Sequence, residues 1–259
     1  SSATDLKIVP PESVGMSSER LARIQPFMQQ LIDTGQLAGV VTLVARKGKI
    51  VHFEKTGKLN IETGEDLQRD SLFRIYSMSK PIVSVALMQL YEEGRFQLTD
   101  PVSKYLPAFI GTKVLVNEEE VDQEHEFTIQ NLLSHTAGFT YGFFSNTEVD
   151  KMYRDKKILG NRNLKEMVER LGKIPLRYQP GTEWVYSVSA DVAGHLVEVL
   201  SGQPLDEYLD NLIFKPLGMD DTFFQVPREK ITRFGTNHSK DKTTGLLKVV
   251  DRPEDSAFT

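Results

Sequence analysis

From Ser77 to Glu93 apolar residues return every three or four positions. Ile82, Val83, Ala86, Leu87, Leu90 and Tyr91 share one stripe, and Gly94 stands where the helix should end. So wide an apolar stripe must be covered by other elements, which commits this chain of 259 residues to a layered fold with a sizeable core. The flanking segments can supply the cover. Thr128 to Leu133 reads as a short helix leading into Ser134-His135-Thr136-Ala137-Gly138. Asn163 caps a helix with Leu164, Met167, Val168 and Leu171 on one face; Val188 to Leu200 is a helix closed by Gly202; Pro204 to Phe214 is another. Asp100-Pro101 opens a short helical piece that ends near Pro107.

β-structure is legible only near the start. After an extended lead-in over residues 1–16, Ser17 caps a helix carrying Leu21, Ile24, Phe27, Met28 and Leu31, stopped by Gly35. Gly39 to Ala45 and Ile50 to Glu54 form a hairpin around Lys47-Gly48, and residues 57–70 are turn-rich and polar. Pro180-Gly181 marks a turn within Tyr178 to Tyr186, with a short β-like piece after it. The acidic run 117–126, which holds His125, reads as a solvated loop, because a metal site needs more ligating residues at a defined spacing. Two strands do not make a stable sheet in water, so further strands are expected, within this chain or outside it.

Composition excludes several classes. Hydrophobic residues make up 39% and charged residues 26%, an ordinary globular balance, and the net charge of −5 offers no basic face to nucleic acid. No apolar run approaches the roughly 18 residues of a membrane span. The absence of cysteine excludes disulfides, thiolate metal sites and a cysteine nucleophile. It leaves the compartment open, with the cytoplasm ranked ahead of the periplasm or secretion. Ser1 in place of an initiator Met points to trimming, of a signal peptide or a tag alike, and Asp251 to Thr259 reads as mid-loop.

Ser77-Met78-Ser79-Lys80 places a hydroxyl and an amine on one helix face, about 5–6 Å apart at Cβ. A lysine desolvated there loses affinity for its proton and can accept that of the serine. The helix start also offers free backbone N–H groups to developing negative charge. Spacing alone is weak, since roughly one such pair arises by chance in a chain of this composition. A second pair, Ser239 and Lys242, sits in a charged, turn-like run without a helix or an apolar wall.

Context separates the two. Leu72-Phe73-Arg74-Ile75-Tyr76-Ser77-Met78-Ser79-Lys80-Pro81 resembles the motif that opens the central helix in the group of serine β-lactamases, penicillin-binding proteins and family VIII carboxylesterases. The resemblance continues through Gly94 to Val102, Leu132 to Gly138, Pro180-Gly181-Thr182-Glu183-Trp184-Val185-Tyr186-Ser187 and Lys215-Pro216-Leu217-Gly218-Met219. It covers most of residues 15–225 in order.

The resemblance implies an α/β (α+β) fold of the β-lactamase/transpeptidase-like type, an antiparallel sheet flanked by helices plus an all-helical region. Residues 1–70 would begin the sheet region, 71–225 would form the mainly helical region carrying both motifs, and 226–259 would return towards the sheet. It implies cofactor-free acyl transfer on a small-molecule ester, with Ser77 as nucleophile, Lys80 as base and Tyr186 as proton shuttle. By itself Tyr186 reads as an aromatic packed beside Trp184. Tyr-x-Asn is usual in the β-lactamase and peptidase branches; Tyr186-Ser187-Val188 resembles the esterase branch, with Val188 an apolar wall for an acyl chain. Tyr76 is a further substrate contact. Phe139, Tyr141, Phe143 and Phe144 either line an acyl pocket or anchor a loop. His135 is read as structural, and no Gly-x-Ser-x-Gly elbow exists to make it a triad histidine.

The family's third motif, on a strand that donates the second oxyanion N–H, has no candidate in residues 220–259. The C-terminal strands and helix are therefore expected outside this chain, on a second chain or a further segment, with a real truncation as the alternative. A β-lactamase or D-aminopeptidase, an acyltransferase and a non-catalytic binding module are the rival readings.

Overall fold

The computed structural model describes residues 6–259. Of the lead-in expected over 1–16, residues 1–5 lie outside the described residues. Ile8 then bridges Ile50, and Pro11–Val14 form a 3-10 turn. The chain divides into two compact units, residues 1–75 with 217–259, and residues 76–216. The divisions differ from those at 70/71 and 225/226 because hydrogen bonds tie the intervening residues into the first unit. Leu72 N–H donates to Arg233 O at 2.7 Å, and Asp221 pairs with Arg233 at 2.5 Å.

The first unit opens with two helices, α1 (Ser18–Leu21) and α2 (Ile24–Asp33), where one was expected. Ser17 caps α1 by accepting the Arg20 N–H, as its sequence suggests. The break at Ala22-Arg23 follows from Pro26, which has no N–H for the Ala22 carbonyl and whose ring crowds it. The rotation this introduces leaves Phe27 exposed instead of on the apolar stripe.

Strand β1 (Gly39–Arg46) pairs antiparallel with β2 (Lys49–Asn60) through a turn in which Lys47 and Gly48 both have positive φ, the geometry that matches strand twist. β2 runs six residues past its expected end at Glu54, through Gly57, and then pairs with β3 (Glu65–Asp66). Gly57 hides the continuation from a sequence reading, yet the strand requires it: a Cβ there would lie 2.4 Å from Ala38 O.

In the second unit a 3-10 turn (Tyr76–Met78) leads into α3 (Ser79–Glu92). Val83, Ala86, Leu87 and Leu90 are buried as the stripe foretold, and each large aliphatic side chain so buried contributes about 1.5–3 kcal/mol. The acidic segment is not a plain loop. β4 (Val114–Val116) and β5 (Glu119–Val121) form a hairpin over Asn117-Glu118, both at positive φ, although its second strand is exposed.

Helix α4 (Ile129–Leu133) is capped by a Thr128/Asn131 box. Helix α5 (Glu148–Asp155) was not foreseen, although Thr147 and Asp150 make the same kind of box. α6 (Leu164–Leu171), capped by Asn163, and α7 (Ser189–Ser201), closed by Gly202 at φ 73°, follow as expected. α7 packs on α3, α4 and α6 and carries the unit's core. α8 (Leu205–Leu209) widens into a π-helical turn over Asp210–Phe214. Pro216 explains the widening: it gives the Leu212 carbonyl no donor, and Gln89 Nε2 supplies one at 3.2 Å. No strand follows the Pro180-Gly181 turn, contrary to expectation; that run is extended and irregular.

Back in the first unit, β6 (Asn237–Lys240) and β7 (Leu247–Asp251) form a hairpin absent from the sequence reading. It contains Ser239 as an exposed residue. Residues 251–259 are tied down where a mid-loop was expected. The Asp251 carboxylate accepts from Arg74 Nε at 2.6 Å, and Val226 N–H donates to Phe258 O at 2.6 Å. Among the described residues no helix is long and apolar enough to cross a membrane.

Candidate active site

The expected trio meets within the second unit. Tyr186 donates its hydroxyl proton to Ser77 Oγ at 2.6 Å, and Lys80 Nζ donates to the same oxygen at 3.2 Å. Ser77 lies in the 3-10 turn and Lys80 in the first turn of α3, so three residues of helical rise bring them to one face. Tyr76, immediately before Ser77, has φ 40° and is exposed. A non-glycine residue held in that region costs about 1–3 kcal/mol and is common where geometry serves a site.

Tyr186 has no helix or strand of its own, and a second segment positions it. Thr136 O accepts from Gly181 N–H at 2.8 Å, His135 O from Val185 N–H at 2.9 Å, and Thr140 O from Val188 N–H at 3.3 Å. Residues 135–140 thus hold residues 181–188 on either side of the phenol. Gly138 makes the approach possible: at φ 98°, a Cβ there would sit 2.4 Å from Tyr178 O. His135 belongs to this clamp. Its Nδ1 accepts the Ser187 N–H at 3.2 Å, which leaves the proton on Nε2, and its ring lies 5.2 Å from that of Tyr186. Burial, then the Lys80 charge, push its pKa down.

The electrostatics differ from the expected depressed lysine. Burial does push Lys80 down, but hydrogen bonding to the Tyr141 and Tyr186 phenols outweighs it, and the net shift is upward. Burial pushes Tyr186 up; Lys80 and Ser77 outweigh it, and the phenol is held below its ordinary value. Lys80 Nζ lies 4.7 Å from the Tyr186 ring centre and 5.3 Å from that of Tyr141. The site is thus an ammonium beside an acidified phenol.

The remaining expected contacts divide. Tyr141 and Phe144 stack around Tyr186, with centroids at 5.2 and 5.7 Å, and Phe143 lies 4.3 Å from Phe144. Phe139 is 2% exposed and packs on Phe109 and Phe127, so it is core and not pocket. Val188 is fully buried as the residue before α7 and cannot wall a substrate in this arrangement. Both were misassigned because nearness in sequence to a motif does not decide which way a side chain points.

A cavity of about 510 Å³ adjoins Tyr186, with Phe144, Tyr178, Trp184 and Arg177 on its walls. Arg177 and Asp191 were missed. Asp191, in the first turn of α7, has its pKa raised by burial with Lys80 opposing. A carboxylate on an otherwise apolar helix face was the available signal.

The model of the family described as beta-lactamase matches residues 23–257. Esterase EstB of Burkholderia gladioli is 35% identical over 206 residues, covering 78% of this chain and 51% of the relative. The lovastatin esterase of Penicillium rubens is 32% identical over 213 residues, covering 78% and 53%. The solved structure of "EstCE1, a hydrolase with promiscuous acyltransferase activity" superposes with a TM-score of 0.79 at 30% identity, over 90% of this chain and 60% of that one. The chain spans about half the length of the curated relatives it matches. The expected β-lactamase/transpeptidase-like fold is borne out.

Proposed function

The chain belongs to the beta-lactamase family, and from that premise we propose that it is the nucleophile-bearing part of a serine carboxylesterase acting through an acyl-enzyme. The observation that carries this reading is the convergence of Tyr186 and Lys80 on the Ser77 oxygen, at 2.6 and 3.2 Å.

Roles follow from the charges. With Lys80 protonated beside it, Tyr186 reaches the phenolate form more easily than a free tyrosine and takes the Ser77 proton. Ser77 Oγ attacks the ester carbonyl, and negative charge passes to the carbonyl oxygen. The backbone N–H of Ser77 is a donor to that oxyanion. As the tetrahedral intermediate collapses, Tyr186 gives its proton to the departing alkoxide and the acyl group stays on Ser77. Water then attacks the acyl-enzyme, its proton passes to Tyr186, and the acid departs as Ser77 recovers a proton. The base role here moves from Lys80 to Tyr186, with Lys80 as its charge partner.

An ester ranks above a β-lactam or a D-Ala peptide because the relatives at 32–35% identity include two named as esterases. Acyl transfer to an alcohol is the second reading, favoured by the activity that the EstCE1 description names for that protein. Product analysis with added alcohol separates the two.

Replacing Ser77 with Ala should abolish hydrolysis of short p-nitrophenyl esters and abolish labelling by a fluorophosphonate probe. Full activity in the variant would end this reading. Nitrocefin and D-Ala-D-Ala turnover beside the ester assay ranks the rivals.

A further inference from the structure

The wall of the cavity beside Tyr186 carries a cation, Arg177, that pairs with no carboxylate among the described residues. The Arg177 backbone is anchored, its N–H donating to Gly138 O at 2.8 Å. Its half-buried side chain makes one hydrogen bond, from Nη1 to Ser145 Oγ at 3.0 Å, and its guanidinium lies 5.0 Å from the Tyr178 ring centre. Among the described residues no Asp or Glu oxygen comes within 4.0 Å of it.

Asp150, one hydroxyl further on, is already saturated. Its oxygens accept from Thr140 Oγ1 at 2.5 Å, Ser145 Oγ at 2.6 Å and Thr147 Oγ1 and N–H at 2.6 and 2.9 Å. Ser145 thus spends its single proton on Asp150 and only accepts from Arg177. Among the described residues the other guanidinium donors have no protein partner, and Arg177 borders a cavity whose walls include Phe144, Trp184 and Tyr186. A half-desolvated guanidinium with an open fork of donors is built for a planar oxyanion, which it binds through two parallel hydrogen bonds. Glu183 also borders the cavity, but it is exposed and water screens its charge.

We propose that the preferred substrate is an ester that itself carries a carboxylate, bound by Arg177 while its ester group lies at Ser77. Arg177 and Tyr186 border one cavity, and the Tyr186 hydroxyl donates to Ser77 Oγ at 2.6 Å, so the cavity adjoins the serine through Tyr186 although Ser77 does not line it. The proposal rests on the ester-hydrolase reading and narrows its substrate class.

The experiment compares matched substrates on the wild-type protein, Arg177→Gln and Arg177→Lys. One arm puts the charge on the acyl side: mono-(4-nitrophenyl) glutarate against its neutral methyl ester. The other puts it on the alcohol side: 3-acetoxybenzoate against 3-acetoxybenzamide. In at least one arm the wild-type kcat/KM should favour the acid by about tenfold, and added salt should shrink the ratio. Arg177→Gln should bring the ratio to about one, and Arg177→Lys should retain part of it. Thermal melts of the variants confirm that folded protein is compared. Equal turnover of acid and neutral partner in both arms, or a preference that survives Arg177→Gln, overturns the proposal while leaving the esterase reading intact. Absence of turnover on every ester of both arms, acid and neutral alike, overturns the esterase reading itself.

Discussion

The Tyr186 hydroxyl donates to Ser77 Oγ across 2.6 Å, closer to the nucleophile than the 3.2 Å of Lys80 Nζ. In the proposed mechanism the phenol carries the proton and the amine supplies the charge. The two residues lie 109 positions apart in the chain, so the contact exists only because residues 135–140 hold residues 181–188 in place.

The pH dependence of kcat/KM tests this division. The proposed mechanism uses Tyr186 ionised, and its pKa is lowered against the ordinary phenol, so activity should rise with pH through a point below the usual tyrosine range. Lys80→Ala removes the charge that favours the phenolate and should move that rise to higher pH; Lys80→Arg should keep it near the wild-type position. Tyr186→Phe should lower kcat by about 10²–10⁴-fold. A rise unmoved in Lys80→Ala would show that the lysine charge does not set the ionisation of the phenol.

His135 should be neutral, with its proton on Nε2, through the neutral pH range. Its pKa is depressed below the unfolded value, first by burial and then by Lys80. The unfolded chain therefore binds the extra proton more readily. The stability this contributes is fully present above the unfolded histidine pKa and is lost as pH falls through that value towards the folded one. Nitrogen-15 NMR of the imidazole should find Nδ1 unprotonated, as its acceptance of the Ser187 N–H requires. A protonated Nδ1 at neutral pH would contradict the clamp.

Asp150 is a fully buried carboxylate that accepts hydrogen bonds from three side chains and one backbone N–H. Burial opposes its ionisation, but the bonds from Ser145, Thr140 and Thr147 outweigh it and hold the group well below the usual carboxylate range. Asp150→Asn turns one accepting oxygen into a donor facing other donors and should cost about 2–4 kcal/mol in denaturant unfolding. Wild-type stability should fall in acid, as pH drops below the unfolded aspartate pKa towards the folded one. An unchanged unfolding midpoint in Asp150→Asn would show that the network does not hold the fold.

Gly138→Ala should be the most damaging single-methyl addition near the site. The residue has φ 98° and its Cβ would collide with the Tyr178 carbonyl at 2.4 Å. Relief requires moving the 135–140 segment away from the 181–188 run, so esterase activity should fall further than the melting temperature alone explains. A variant with wild-type kcat and melting temperature would show that the two segments tolerate separation.

Periodicity and caps are local properties, which is why α3, α4, α6 and α7 could be placed from residue spacing, and why Ser77 and Lys80, one helical turn apart, could be paired. The Pro26 break was a local signal too, whereas the passage of β2 through Gly57 and the β6–β7 hairpin were decided by pairing with the neighbouring strand, whose hydrogen bonds override a weak local signal. The direction of a side chain was likewise a tertiary outcome. Phe139 and Val188 joined the core, while Tyr141 came to hydrogen-bond Lys80 alongside Tyr186, and Arg177 came to border a cavity, unpaired with any carboxylate among the described residues. Residue order alone sets which chemistry the chain carries. Burial and proximity, which depend on residues more than a hundred positions apart, decide its charge states and what it can meet.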